Sequence, residues 1–148
     1  MRSRLILISF LAISMFALAE GCQSENELQY ARYYSNGRQI YTQHCQNCHG
    51  NEGQGLARLY PPLTDTLFLK NNKARLACII RNGLNDTISV NGIKFSGQMP
   101  AESHLPDIDI AAVITYITNS FGNKQGLYDV ANAGADIKAC QQANDNKQ

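Results

Sequence analysis

Cys45-Gln46-Asn47-Cys48-His49 is the stretch whose reading decides how the rest of the chain is understood. A CxxCH run is the pattern of covalent haem attachment. Two thiols three positions apart can each form a thioether to one of the two vinyl groups of a haem, and the histidine that follows lies under the iron. The thiols make the bonds, the two-residue spacer sets their separation, and an imidazole nitrogen ligates iron in both oxidation states. Cys45 and Cys48 are therefore the expected attachment residues and His49 the expected proximal ligand.

Other origins of the motif are weaker. With five Cys and three His in 148 residues, composition alone would produce it in roughly three such chains per thousand. A thioredoxin-like CxxC sits between a strand and a helix, but the residues before Cys45 read as helix and no apolar strand runs into it. A structural zinc site wants a second Cys/His pair at similar spacing, and the sequence has none.

Around the motif stand Gly37 and Tyr41 before it, Gly50 and the glycines of Asn51-Glu52-Gly53-Gln54-Gly55 after it, then Pro61-Pro62-Leu63, Gln98-Met99-Pro100 and an apolar helical run ending in Tyr116. In this order the chain resembles a class I cytochrome c over roughly Ser35 to Gly122. The resemblance implies an all-α cytochrome c fold of three to five helices around one covalently attached haem c. It also implies that Gly37 lets the first helix cross the last closely, with Tyr41 packed one turn on. The carbonyl of Pro61, twelve residues past His49, would accept a hydrogen bond from the other imidazole nitrogen and orient the ring. Leu63 would pack on the haem, and Arg58 and Tyr60 would face its propionates.

The distal ligand follows from a count. The chain has three Met, and Met1 and Met15 fall in the leader, so Met99 is the one thioether left in the mature protein. Pro100 follows it, as in the family, and His/Met ligation belongs to electron-carrying cytochromes c. The competing distal residue is His104, whereas His44, next to Cys45, is expected at the surface.

The first residues read as an address. Arg2 and Arg4 precede an apolar run from Leu5 to Ala19, the layout of a secretory signal peptide and short for a membrane span. Leu18-Ala19-Glu20-Gly21-Cys22 resembles a lipoprotein cleavage site, in which Cys22 would carry the lipid. Gly21 and Cys22 fit that pattern and Glu20 departs from it. The other reading is ordinary cleavage nearby, with Cys22 a thiol. The expected layout is signal peptide 1–21, tether 22–34, cytochrome domain 35–122 and C-terminal extension 123–148. Within the tether, Ser24 and Glu27 have capping-box spacing and could instead begin a short helix.

Removing residues 1–21 leaves eleven Lys plus Arg against eleven Asp plus Glu, a neutral balance that gives nucleic acid no handle. About 127 residues make one domain. The family's first helix is predicted from Ser35 or Asn36 into Cys45. A second runs from Asn71-Asn72 to Gly83. Thr87 to Phe95 alternates apolar and polar residues about Asn91-Gly92, the signal of a small β-hairpin before the distal Met loop. A closing helix begins at Pro106 with Asp107 and Asp109 in its first turn and ends at Phe121-Gly122. Ala133 to Gln142 reads as a short extra helix.

Of the remaining thiols, Cys78 and Cys140 are a candidate disulfide in an oxidising compartment. Such a bridge would constrain the unfolded chain by about 4 kcal/mol. The alternative is two separate buried thiols.

These readings converge on a one-electron carrier, periplasmic or membrane-anchored through Cys22, between exported dehydrogenases and terminal oxidases or reductases. It would be no enzyme in its own right. The rival readings are a ligand-binding or peroxidatic haem protein with an open sixth position, and a haem module that docks within a larger complex.

Overall fold

In the computed structural model, which describes residues 24–145, the chain starts as helix α1 (Glu25–Ile40). Ser24 caps it by accepting the Glu27 N–H at 3.3 Å, with Glu25 and Glu27 favourably placed in the first turn. This corrects the expected start at Ser35 or Asn36 and the expected tether 22–34, which is helical from Glu25 onward. The capping-box alternative is the one the chain takes, and Tyr33, Tyr34, Gly37 and Ile40 give the longer helix a face to pack. Residues 1–23, with the expected leader and Cys22, lie outside the described residues.

After α1 the backbone widens into a π turn (Tyr41–Cys45) and closes into the short helix α2 (Gln46–His49), which together carry the motif. Asp65 caps α3 (Thr66–Asn71), accepting from the Leu67 and Phe68 N–H groups at 3.0 Å each, and its other oxygen takes the Asn91 N–H of the hairpin at 3.0 Å. The sequence reading missed α3. Asn72 is the start cap of α4 (Lys73–Asn82), as expected, through its carbonyl, which accepts the Arg75 N–H at 2.7 Å, and it also ends α3, its side chain donating back to the Phe68 carbonyl at 2.9 Å. The hairpin forms as expected: β1 (Ile88–Val90) pairs antiparallel with β2 (Ile93–Phe95), Val90 opposite Ile93, across Asn91-Gly92.

Helix α5 (Asp107–Ile117) is the centre of the molecule. Its residues from Ile110 to Ile117 are all buried, so it is apolar all round and enclosed by its neighbours. It stops at Thr118, short of the expected Phe121-Gly122, because the Thr118 and Asn119 side chains turn back onto helix carbonyls. Helix α1 crosses it where Gly37 meets Ala112 and Tyr116: a Cβ on Gly37 would overlap the Ala112 carbonyl oxygen and lie 2.9 Å from Tyr116 Cβ. Tyr34, Tyr41, Tyr116 and Phe121 close the crossing with ring centroids 5.2–5.6 Å apart.

The tail is more helical than its sequence indicated. Helix α6 (Val130–Asp145) packs on α4 and α5, burying Ala133 and Ile137. Tyr128 leads into it, its N–H and C=O both bonded to the buried Thr115 hydroxyl at 3.0 and 2.8 Å. Cys78 on α4 and Cys140 on α6 come together with Cα atoms 6.3 Å apart, within the span of a disulfide. No helix among the described residues is long and apolar enough to cross a membrane.

Candidate functional site

Beside Val113 and Ile117 of α5 the chain encloses an apolar cleft of about 960 Å³, counting its open mouth. Cys45, Cys48 and His49 line it together with Tyr60, Pro61, Leu63 and Met99. Leu69, Leu76, Ile80, Phe95, Val113 and Ile117 supply its apolar floor. Residues more than fifty positions apart thus meet in one place.

The π turn and α2 bring the two thiols and His49 to the wall of this cleft. His49 Nδ1 lies 3.0 Å from the Pro61 carbonyl oxygen. A carbonyl only accepts, so Nδ1 carries the hydrogen and Nε2 keeps its lone pair for a ligand. Burial lowers the His49 pKa, opposed by the bond to Pro61, and the ring is held neutral. Burial pushes the Cys45 thiol up to about 12, with smaller contributions from Glu102 and Cys48. The loop behind the ring is fixed as well: Gly55 N–H donates to the His49 carbonyl at 2.8 Å, Leu63 N–H to Gly53 at 2.7 Å, and Asn123 Nδ2 to the Leu63 carbonyl at 2.9 Å.

Met99 arrives after the hairpin, and two backbone bonds with Leu84, of 2.9 and 3.0 Å, lock it against the end of α4. Gly83 makes the approach possible, since its φ is +75° and a Cβ there would lie 2.5 Å from the Met99 carbonyl oxygen. Beyond Met99, Glu102 N–H donates to the Ile80 carbonyl at 2.9 Å, and Arg81 donates to the carbonyls of Ser103 and Leu105 at 2.9 and 2.7 Å while pairing with Asp107. The segment is therefore tied to α4 and the residue after its cap both at the methionine and beyond it.

Two expected haem neighbours lie elsewhere. Arg58 is exposed and absent from the cleft lining, unlike Tyr60. His104, the competing distal residue, does not line the cleft either; its side chain is 66% exposed and faces Glu102. His44 is no bare surface residue, because its Nδ1 lies 3.2 Å from Glu102 and its side chain is only 25% exposed. The sequence held no signal for this pairing, since 58 residues separate the two.

The cleft fits a haem on three observations. Its lining is almost wholly apolar, its two free thiols have the attachment spacing, and it offers one imidazole nitrogen and one thioether as axial donors.

Comparison with known proteins agrees. Residues 33–117 match the family model described as "Cytochrome C oxidase, cbb3-type, subunit III". The chain is 31% identical over 121 residues to a cytochrome c-552 of Thermus thermophilus, covering 79% of this chain and 72% of the relative. A second Thermus thermophilus cytochrome c-552 is 33% identical over 93 residues, 60% of this chain and 70% of that protein. The cytochrome c subunit of a quinone alcohol dehydrogenase from Gluconobacter oxydans is 28% identical over 89 residues, 59% of this chain but 18% of that subunit.

Proposed function

This chain belongs to the c-type cytochrome family whose model is described as cytochrome C oxidase, cbb3-type, subunit III, and from that premise we propose how its residues serve a one-electron carrier. The protein is a mono-haem cytochrome c with covalently bound haem c, an electron-transfer protein and not a catalyst. When bound, the haem supplies an iron that changes oxidation state by one electron. Cys45 and Cys48 form the two thioethers. His49 is the proximal ligand, its tautomer set by Pro61. Met99 is the distal ligand, held in place through Leu84. Leu63 and the apolar floor exclude water, which favours the ferrous state and raises the potential. The observation that carries this reading is the convergence of both thiols, His49 and Met99 on one apolar cleft.

Leu59 lines the cleft and is 62% exposed, so it offers a partner an apolar contact at the mouth. The partners on this reading are an exported or membrane-bound dehydrogenase and a terminal oxidase or reductase. A cytochrome c subunit of a quinone alcohol dehydrogenase among the relatives supports the dehydrogenase side. Residues 1–21 act as the export signal, Cys22 carries the lipid, and the globular domain begins at Ser24, earlier than the sequence reading had it. Cys78 and Cys140 form the disulfide that pins α6.

The test is the spectrum of the mature protein. The carrier is six-coordinate and low-spin in the ferric state, with the weak red-edge band of a thioether ligand. Met99→Ala loses that band, takes up cyanide readily and has a lower potential. A high-spin parent that takes up cyanide would establish the ligand-binding or peroxidatic alternative instead, and an unchanged spectrum in Met99→Ala would overturn Met99 as the distal ligand.

A further inference from the structure

Outside the haem cleft, His44, Glu102 and His104 direct their donor atoms at one another, all within 4.8 Å. His44 Nδ1 lies 3.2 Å from Glu102 Oε2, and His104 Nε2 lies 3.5 Å from the same oxygen. The two imidazoles are tilted by 47° with centroids 5.5 Å apart, so they converge on the carboxylate without stacking. We propose that these three side chains form a binding site for a late divalent transition-metal ion, zinc or nickel, on the surface of the protein.

The chemistry and the spacing both favour it. Two imidazoles and one carboxylate are the donor set that zinc and its neighbours prefer, with room for water as a further ligand. A tetrahedral ion with bonds of about 2.0–2.1 Å separates its donors by about 3.3 Å, which matches the two measured His–Glu distances. Neutral imidazoles beside a carboxylate make a site of net charge −1, suited to a dication. Arg81, which bonds the Ser103 carbonyl between Glu102 and His104, is also engaged with Asp107 and with the Leu105 carbonyl.

The site is also preorganised. Glu102 and His104 lie on a turn held by the Glu102 N–H to Ile80, by Arg81 to Ser103, and by the Leu105 N–H to Glu102. His44 sits in the π turn, one residue before Cys45. An ion here joins the segment entering the CxxCH motif to the segment leaving Met99, across the lip of the cleft. Side-chain exposures of 25%, 17% and 66% leave it open to solvent on the His104 side.

The chain has three histidines in all. With His49 buried in the cleft, imidazole-dependent metal binding by the mature protein must use this cluster. The experiment is calorimetric titration of the mature, haem-loaded protein with Zn²⁺ at neutral pH in a non-chelating buffer, repeated with His104→Ala and Glu102→Gln. The expected result is one saturable site per chain, weakened at least tenfold by either substitution, and a melting temperature that Zn²⁺ raises in the parent but not in the variants. His104 is largely exposed, so its replacement leaves the fold intact, which far-UV circular dichroism verifies. Absence of saturable binding, or a site that neither variant weakens, would overturn the proposal and leave a hydrogen-bonded His–Glu–His cluster only. Neither result touches the haem assignment, whose test is optical.

Discussion

Replacing Gly37 by alanine separates local helix preference from tertiary packing, because the two predict opposite signs. In an isolated helix the change stabilises by about 1 kcal/mol. In this protein the new Cβ would overlap the Ala112 carbonyl oxygen, lie 2.5 Å from the Ala112 carbonyl carbon and 2.9 Å from Tyr116 Cβ. Comfortable carbon contacts begin near ~3.5 Å, so α5 must retreat from α1 by about 1 Å. Two of the three blocking atoms are backbone and cannot rotate away. Overpacking costs of about 1–3 kcal/mol are usual, and a rigid obstruction places this one at the top of that range. Retreat also opens the contacts of Tyr41 with Tyr116 and Phe121. Net destabilisation is therefore about 2 kcal/mol, a fall of roughly 8 °C in melting temperature for a domain of this size. The assay is thermal and urea unfolding of the haem-loaded protein, followed by far-UV circular dichroism. Gly134→Ala in α6 is the control: its nearest neighbour is Asp107 Oδ2 at 3.7 Å, an ordinary contact, and the substitution should stabilise by up to about 1 kcal/mol. If Gly37→Ala behaves like Gly134→Ala, the close crossing of α1 and α5 is refuted.

Other expectations concern the supports of the cleft. Asp65→Ala should cost about 1 kcal/mol in urea unfolding, since it removes the cap of α3 and the tie to Asn91. Those backbone N–H bonds hold the Asp65 carboxyl below its ordinary value. The stabilisation is thus complete above the unfolded pKa of about 4 and is lost as pH falls through the lower folded value. The gap between parent and Asp65→Ala should close below about pH 4; a gap that persists there would show that the carboxylate is not its source. Cys78→Ser should lower stability by about 4 kcal/mol through loss of the bridge to Cys140. A thiol count on the denatured parent that finds both residues free would reject the bridge.

Much of the site could be read from the chain alone because covalent chemistry dictates local spacing. A CxxCH motif packs its thiols and imidazole into five consecutive residues, so the sequence could single out Cys45, Cys48 and His49, and the structure places all three on one cleft. Pro61, Leu63 and Met99 were singled out by the family resemblance and by their offsets from His49, and the structure sets Pro61 against His49 and places all three at the cleft. The hairpin was equally local, written in Asn91-Gly92 and the alternation around it.

Errors arose where distant partners decided the outcome. Nothing around Ser35 reveals that α1 starts ten residues earlier, because the stretch before it is anchored through Tyr33 and Tyr34, whose rings and hydroxyls reach Ser120, Tyr116 and Val130. Asn72 caps the start of α4 as read, but that it also closes α3 through the Phe68 carbonyl was visible only once α3 was seen to precede it. Arg58 and His104 have side chains suited to a haem pocket, but the path of the backbone carries both outside it.

The sequence by itself determined the family and its cofactor: a CxxCH attachment motif in a chain of five Cys, three His and three Met, with nearly balanced charge. Tertiary structure decided what those groups see. It closed an apolar cleft around His49 and Met99, and it set His44 against Glu102, 58 positions further on, and against His104. Such encounters depend on how α1, α4 and α5 pack, and packing is a property of surfaces brought together from the whole chain.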